Sequence, residues 1–236
     1  MGVIWHELEC GSYSADLALW RELAAERTGA VLDVGAGSGR VALHLARAGH
    51  EVVALDLDLA LLSVIDDHSE GLRLTTVRAD ARHFQLDRRF ELILVPMQTI
   101  QLLGGAGGRE LFLARARAHL SAGGLLAIAV AEEIEPFDAD DGIVLVPDMV
   151  ERDGIVYSSR PVRVRAAPQG YVLERMREVV SADGTRSTSA DRVTLDLLSA
   201  AELEGEAAAL GLRVGPRHPI APTAEHVGST VVMLGG

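Results

Sequence analysis

The chain has 236 residues, 48% of them hydrophobic, which is enough for one sizeable core and too little for two full-sized domains. Its 22 Lys and Arg against 34 Asp and Glu give a formal net charge of −12, which argues against nucleic acid as a partner. No apolar run approaches the ~18 residues of a membrane span, no signal-peptide pattern begins the chain, and the lone thiol of Cys10 suits a reducing cytoplasm.

Short apolar runs alternate with helical patterns between residues 30 and 131, which is typical of βαβ units around a parallel sheet. An amphipathic segment over residues 13–27 precedes them, within an N-terminal helical cap of residues 1–29. The expected strands of this core are residues 30–34, 51–55, 72–77, 90–95 and 125–130, and its expected helices are residues 40–48, 59–65 and 109–120.

The pattern changes to a period of two after residue 131, and residues 132–198 are predicted to form an acidic loop followed by an antiparallel β-meander. A helix and a terminal strand are expected within residues 199–236. We therefore predict a single α/β domain with a Rossmann-like, seven-stranded, mainly parallel sheet, an antiparallel terminal strand and a small β-meander insertion. The meander could serve as a lid or as a homodimer surface.

The most informative segment is the glycine-rich turn that follows the first strand. Glycines at positions 35, 37 and 39, with Ala36 between the first two, let a ligand approach the backbone closely. The dinucleotide pattern G-x-G-x-x-G fails at Arg40, which disfavours a nicotinamide or flavin oxidoreductase. Asp33 lies inside the strand, where a carboxylate is costly unless it is hydrogen-bonded or faces a cation. S-adenosylmethionine carries two such cations, a sulfonium and an ammonium.

Two further carboxylates are expected at the same edge of the sheet, because the carboxyl ends of parallel strands lie together. Asp56 ends the second strand, where it can accept hydrogen bonds from ribose hydroxyls. Asp80 follows the third strand, where it can accept from an adenine amine. The alternatives are a helix N-cap for Asp56, a turn residue for Asp80 and a buried strand carboxylate for Asp33.

The stretch from Asp33 to Gly39, of the form acid-x-Gly-x-Gly-x-Gly, resembles the first motif of the class I S-adenosylmethionine-dependent methyltransferase superfamily. The resemblance covers residues 31 to about 131. It implies that the glycine loop contacts the methionyl part of the cofactor, that Asp56 holds the ribose, and that Asp80 contacts adenine. It also implies that Leu57, Ala81 and Arg82 lie around the adenine.

The end of the fourth strand faces both the cofactor and the methyl acceptor in class I enzymes. Enzymes that methylate nucleobase amines carry Asn or Asp, then Pro-Pro and an aromatic residue there, whereas this chain carries Val95, Pro96, Met97 and Gln98, so nucleobase amines become unlikely acceptors. The first three are expected to form an apolar wall for the cofactor. Gln98 and Gln101 could orient an acceptor through their amides, or could simply face water.

Methyl transfer is an in-line displacement with a neutral thioether as leaving group, so alignment and desolvation can suffice and no metal is expected. A base is needed only where the nucleophile starts protonated. The candidate catalytic residues are His226 and Tyr13, whose segments could cover the cleft, together with Gln98; His6 and His218 are further options. Taken singly, each histidine or tyrosine is explained more simply as an ordinary surface or cap residue.

The sequence thus predicts methyl transfer from S-adenosylmethionine, with S-adenosylhomocysteine as product, to an oxygen or nitrogen of a small-molecule metabolite. A binding protein that holds S-adenosylmethionine without catalysis is the first alternative. A nucleotide-cofactor oxidoreductase is the second.

Overall fold

The computed structural model of the protein describes residues 2–142, 145–168, 170–223 and 226–236. Within them the contacts divide the chain into two units. The core unit comprises Tyr13–Glu133 and Leu198–Gly236, and the meander unit comprises Met1–Ser12 and Ile134–Leu197. The described elements, in chain order, are α1 (Val3–Cys10), α2 (Leu17–Ala25), β1 (Val31–Val34), α3 (Arg40–Arg47), β2 (Val52–Asp56), α4 (Leu59–Asp67), β3 (Leu74–Arg78), β4 (Phe90–Val95), α5 (Gly105–His119), β5 (Leu120–Val130), β6 (Phe137–Asp138), β7 (Asp148–Arg152), β8 (Ile155–Ala167), β9 (Gly170–Val180), β10 (Arg186–Asp196), α6 (Ala200–Ala209), β11 (Arg213–Val214), β12 (His218–Ile220) and β13 (Ser229–Gly235).

The core unit is built on a sheet with the order β11-β13-β5-β4-β1-β2-β3, to which the short β12 adds by pairing with β13. The strands from β3 to β5 are parallel, and β13 runs antiparallel to β5. This confirms the predicted Rossmann-like, mainly parallel sheet with an antiparallel terminal strand. The boundaries differ most at β5, which begins at Leu120 rather than at residue 125, and at α5, which begins at Gly105 rather than near residue 109.

Two apolar clusters cover the two faces of this sheet, because successive side chains of a strand point to opposite faces. Leu32 and Val34 of β1 belong to the cluster that includes Phe112 of α5. Val31 belongs to the opposite cluster, with Trp20 of α2 and residues of α3 and α4. The alternation puts Asp33 on the same face as Val31, under α3. A carboxylate thus lies in an apolar layer at the point where the chain turns towards α3.

The meander unit is an antiparallel sheet in which β8, β9 and β10 are neighbours and β6 and β7 pair with β8. The three long strands match the predicted meander, and the two short ones were not predicted. The helix α1 belongs to this unit, where the Glu9 carboxylate accepts two hydrogen bonds from Arg177, at 2.7 and 2.8 Å.

The predicted amphipathic segment of residues 13–27 is shorter in the structure, where α2 spans Leu17–Ala25. The homodimer through this meander stays a prediction.

Among the described helices, none is both long enough and apolar enough to cross a membrane.

Candidate active site

The glycine loop between β1 and α3 folds against the end of β2. The backbone N–H groups of Gly35 and Ala36 both donate to the carbonyl of Leu55, at 2.8 and 3.0 Å. Gly35 has φ +71°, and an added Cβ would lie 2.5 Å from Cγ2 of Thr99. The turn therefore requires glycine at position 35 for its conformation and for its contact with Thr99. Sequence reasoning did not identify Thr99, which lies 64 residues away along the chain.

Asp56 joins this loop to the end of the second strand. Its Oδ2 accepts from the backbone N–H of Gly37 at 2.8 Å, and its Oδ1 accepts from the N–H of Asp58 at 2.9 Å. The carboxylate is thereby fixed beside the glycine loop. Leu57, the next residue, is 61% exposed, an unusual position for a large apolar side chain and one that suits cover by a planar ring. The predicted roles at ribose and adenine stay predictions that this geometry fits.

Asp80 lies after β3 and is held by Arg82. The guanidinium Nη2 donates to Oδ2 at 2.7 Å, and the backbone N–H of Arg82 donates to Oδ1 at 2.9 Å. The side-chain hydrogen bond from Arg82 is the main reason that the pKa of Asp80 falls to about 2. Asp80 is thus an ionised acceptor throughout the neutral range. Ala81 between them is partly buried and packs against the core.

Asp33 is the least satisfied polar group of the core unit. Its side chain is fully buried, and neither carboxyl oxygen has a hydrogen-bond partner among the described residues. The N–H of Ala42, in the first turn of α3, faces the carboxyl and lowers its pKa, at a geometry outside that of a regular hydrogen bond. Burial nevertheless dominates and raises the pKa of Asp33 to about 7. A cation placed at this carboxylate would remove the penalty, and the methionyl ammonium of the predicted cofactor is such a cation.

The end of β4 combines an apolar wall with one strained residue. The Val95 side chain is fully buried in the core, so only its backbone can face a ligand, and Pro96 is buried as well. Met97 follows with φ +55°, the left-handed region that a side chain with a Cβ rarely adopts. Such strain often occurs at functional sites. Gln98 is half-buried, and its amide has no hydrogen-bond partner among the residues that the structure describes, so it is available to a ligand.

Gln101 differs from its predicted role. Its side chain is 1% exposed, its Nε2 donates to the carbonyl of Ala131 at 3.1 Å, and its Oε1 accepts from the N–H of Ala131 at 2.9 Å. The amide thus continues the backbone pairing where β5 ends. This geometry favours a structural role over the predicted contact with a methyl acceptor.

The two candidate catalytic residues, Tyr13 and His226, lie together. Their ring centroids are 4.8 Å apart, although 213 residues separate them along the chain. Burial, and then the charge of Asp16, raise the pKa of Tyr13, whose hydroxyl also bonds to Ser229. Tyr13 is therefore a hydrogen-bond donor at neutral pH and a poor base. His226 is partly exposed, and its backbone N–H donates to the hydroxyl of Thr223 at 3.0 Å.

A buried ion pair that the sequence analysis missed holds the segment before α2 against α3. The Asp16 carboxylate, 1% exposed, accepts from Arg40 at 2.5 and 2.7 Å and from Nε1 of Trp20 at 2.8 Å. Arg40 also donates to the carbonyl of Tyr13 at 3.0 Å and lies over its ring, 5.0 Å from the centroid. The only available signal was the position of Arg40 directly after the last glycine.

These side chains offer the groups that a cationic nucleoside requires. The glycine loop leaves room at the backbone, Asp56 provides a carboxylate beside it, Asp80 provides another after β3, and Asp33 has no hydrogen-bond partner among the described residues. Among the described residues, no group of three His, Cys, Asp or Glu side chains is arranged to hold a metal ion.

Comparison with known proteins gives the same class. Residues 31–124 match a family model described as a methyltransferase domain, and a search of the curated proteins found no match. Similar solved structures include CalS10 with S-adenosylmethionine bound, an amino pentose methyltransferase from Micromonospora echinaspora, at 21% identity over 99% of this chain and 97% of that chain, with a TM-score of 0.73. DesVI from Streptomyces venezuelae has 21% identity, coverages of 97% and 94%, and a TM-score of 0.72. The sugar N-methyltransferase KedS8 from a Streptoalloteichus species has 19% identity, coverages of 98% and 90%, and a TM-score of 0.72.

Residues 31–124 match a methyltransferase domain, and the whole chain shares its fold with methyltransferases of known structure. Both findings agree with the class I resemblance predicted from the sequence.

Proposed function

We propose that the protein transfers the methyl group of S-adenosylmethionine to the amine nitrogen of a small polar metabolite of the amino-sugar type. The observation that carries the cofactor half of this proposal is the buried, unpartnered Asp33 carboxylate beside the glycine loop. The choice of acceptor is supported by three proteins of similar structure, an amino pentose methyltransferase, a sugar N-methyltransferase and a glycopeptide N-methyltransferase.

The residues predicted to hold the cofactor each offer a suitable group. Asp33 accepts from the ammonium of the methionyl part, and Gly35, Ala36, Gly37 and Gly39 provide a backbone surface for it. Asp56 accepts from the ribose hydroxyls, and Asp80 accepts from the adenine amine between Leu57, Ala81 and Arg82. When bound, the cofactor supplies an electrophilic methyl group on a sulfonium.

The residues around the methyl group of the cofactor align the acceptor, and one of them accepts the proton that the acceptor loses. Met97 and the backbone of Val95 and Pro96 exclude water from the line of attack, and Gln98 orients the acceptor. The acceptor nitrogen forms a bond to the methyl carbon as the carbon–sulfur bond breaks, and the electron pair of that bond goes to sulfur. The nitrogen must present a lone pair, so an ammonium acceptor first loses its proton.

His226 is the best-placed candidate to take that proton, with Tyr13 as its stacked neighbour. An imidazole is a base of suitable strength for an amine near neutral pH, whereas a sugar hydroxyl is far less acidic and would gain less from it. This match favours nitrogen over oxygen as the acceptor. The net charge of −12 also favours a cationic metabolite over an anionic one during encounter.

The test is a turnover screen with S-adenosylmethionine and matched pairs of acceptors, each an amino sugar beside the analogue with a hydroxyl in place of the amine. We expect methylated product and S-adenosylhomocysteine, both measured by mass spectrometry, from amine members only. Turnover confined to the hydroxyl members would overturn the assignment to nitrogen, and cofactor binding without turnover anywhere in the panel would overturn the acceptor class.

Two variants test the proton step. His226→Gln keeps a hydrogen-bonding side chain but removes the base, and we expect kcat to fall most at neutral and slightly alkaline pH, where an imidazole is neutral and an amine acceptor is still protonated. Tyr13→Phe keeps the stacked ring and removes the hydroxyl, and should change kcat less. Equal pH profiles of kcat for His226→Gln and the native chain would exclude His226 as the base.

A further inference from the structure

The charges around Asp33 do not balance. Three carboxylates, those of Asp16, Asp33 and Asp56, lie in this part of the core unit, and the guanidinium of Arg40 acts on Asp33 together with the other two. Both Nη atoms of Arg40 donate hydrogen bonds to the Asp16 carboxylate, so the guanidinium pairs with Asp16 rather than with Asp33. Asp33 is therefore left without a partner although a cation lies close enough to act on it.

Asp16 is also held from its other side. Trp20 Nε1 donates to the same Oδ2 that accepts from Arg40 Nη2, and the whole carboxylate is 1% exposed. A bidentate, buried pair of this kind has a fixed geometry, since a guanidinium fork matches both carboxylate oxygens. The same guanidinium bonds to the Tyr13 carbonyl, so the pair also fixes the segment that carries Tyr13.

We propose that Asp16 and Arg40 form a positioning pair for the cofactor, in which Asp16 retains the guanidinium and so leaves the Asp33 carboxylate unpaired for the ammonium of S-adenosylmethionine. The inference rests on the proposed function, because it assigns a role at the same cofactor site. Neither member of the pair touches the reacting atoms. Arg40 acts on Asp33 through its field, and Asp16 acts by preventing direct pairing between Arg40 and Asp33.

The two ends of the pair act on Asp33 with opposite sign. The charge of Arg40 favours the ionised form of Asp33 and lowers its pKa, whereas the charge of Asp16 raises it. Removing Arg40 should therefore move the ionisation of Asp33 to higher pH, and removing Asp16 should move it to lower pH. If the pair had only a structural role, removing Arg40 and removing Asp16 would not shift the ionisation of Asp33 in opposite directions.

The experiment measures Kd for S-adenosylhomocysteine by calorimetry between pH 5.5 and 8.5, because this ligand keeps the ammonium and lacks the sulfonium. In the native chain we expect affinity to rise about tenfold per pH unit below the midpoint and then to level off, since one ionisation controls binding. Arg40→Gln should move the midpoint of the affinity–pH curve to higher pH and leave the limiting affinity above the midpoint unchanged. Asp16→Asn should move the midpoint down and lower the plateau, because the released guanidinium then competes for Asp33.

Matched controls separate these effects from damage to the fold. Trp20→Phe removes a donor to Asp16 without changing any charge, and Arg40→Lys keeps the charge without the bidentate fork, so both should keep the native midpoint. Arg40→Gln leaves Asp16 buried and unpaired, so the double variant Asp16→Asn with Arg40→Gln provides a second comparison; its midpoint should lie above that of Asp16→Asn alone.

Asp33→Asn identifies the titrating group. The charged groups that act on Asp33 are Arg40 from α3, Asp16 at the start of α2 and Asp56 at the end of β2. Any pH dependence of Kd that survives in Asp33→Asn belongs to another group of the protein or to the ligand. Identical midpoints in the native chain, Asp16→Asn and the double variant would overturn the positioning pair. Absence of S-adenosylhomocysteine binding by the native chain at every pH would instead contradict the proposed function.

Discussion

Replacing Asp33 with asparagine should remove a pH-dependent loss of stability that the native chain carries. The pKa of the buried carboxyl lies at about 7, against 3.8 for an ordinary aspartate, so the folded state retains its proton where the unfolded chain has lost it. Stability from this group is therefore full below about pH 4, falls as pH rises towards 7 and is constant above it. The expected slope is about 1.4 kcal/mol per pH unit, or about 2.5 kcal/mol between pH 5 and 8.

The assay is urea unfolding of both proteins, without ligand, at pH 5, 6, 7 and 8, followed by tryptophan fluorescence, since Trp20 is fully buried. The asparagine amide also lacks partners, at a cost of about 1–3 kcal/mol that does not depend on pH. The prediction therefore concerns the difference between the two proteins, which should grow in favour of Asp33→Asn as pH rises. Parallel profiles across this range would refute the account of Asp33 as a costly ionisable group.

Three further substitutions test single contacts. Gly35→Ala should lower the free energy of unfolding by about 2–4 kcal/mol, because the new Cβ would meet Thr99 and the backbone has a positive φ. Urea titration of the double variant Gly35→Ala with Thr99→Ala, in which only the clash is relieved, measures the part of this loss that comes from backbone strain. Gln101→Leu should cost about 2–3 kcal/mol in the same titration by leaving the backbone of Ala131 unpaired, with Kd for S-adenosylhomocysteine unchanged; a weaker Kd at normal stability would restore a role in binding. Asp80→Asn should reduce the calorimetric preference for S-adenosylhomocysteine over S-inosylhomocysteine by about tenfold, because an amide can donate to a 6-oxo group; an unchanged preference would place Asp80 outside the adenine site.

Features that depend on neighbouring residues were predictable from the sequence. Each strand of the parallel sheet is a short apolar run, and its carboxyl end is marked by the residue that follows it. Asp33, Asp56 and Asp80 could therefore be placed at one edge before any coordinates were known. The predicted terminal strand and the long strands of the meander follow from the same local alternation.

Features that depend on contact between distant segments were not predictable. The pair of Asp16 and Arg40 spans 24 residues, and the amide bridge of Gln101 spans 30, and neither leaves a local pattern. The start of α5 was placed too late because glycines usually break helices. In the structure an added Cβ at Gly108 would lie 1.8 Å from the Leu103 carbonyl oxygen, so packing requires a glycine there in spite of its low helix propensity.

The instability that Asp33 introduces and the ligand affinity that we propose for it have one physical origin. A carboxylate already paired with Arg40 would be stable in the ligand-free chain but would have little to gain from an ammonium, because the guanidinium would have to be displaced first. Holding that guanidinium on Asp16 keeps the desolvated carboxylate uncompensated until a cation arrives. Binding of the cationic ligand should then lower the pKa of Asp33 and offset the free-energy cost of burying its charge. The resulting stabilisation should be largest above pH 7, where the ionised Asp33 destabilises the ligand-free protein most.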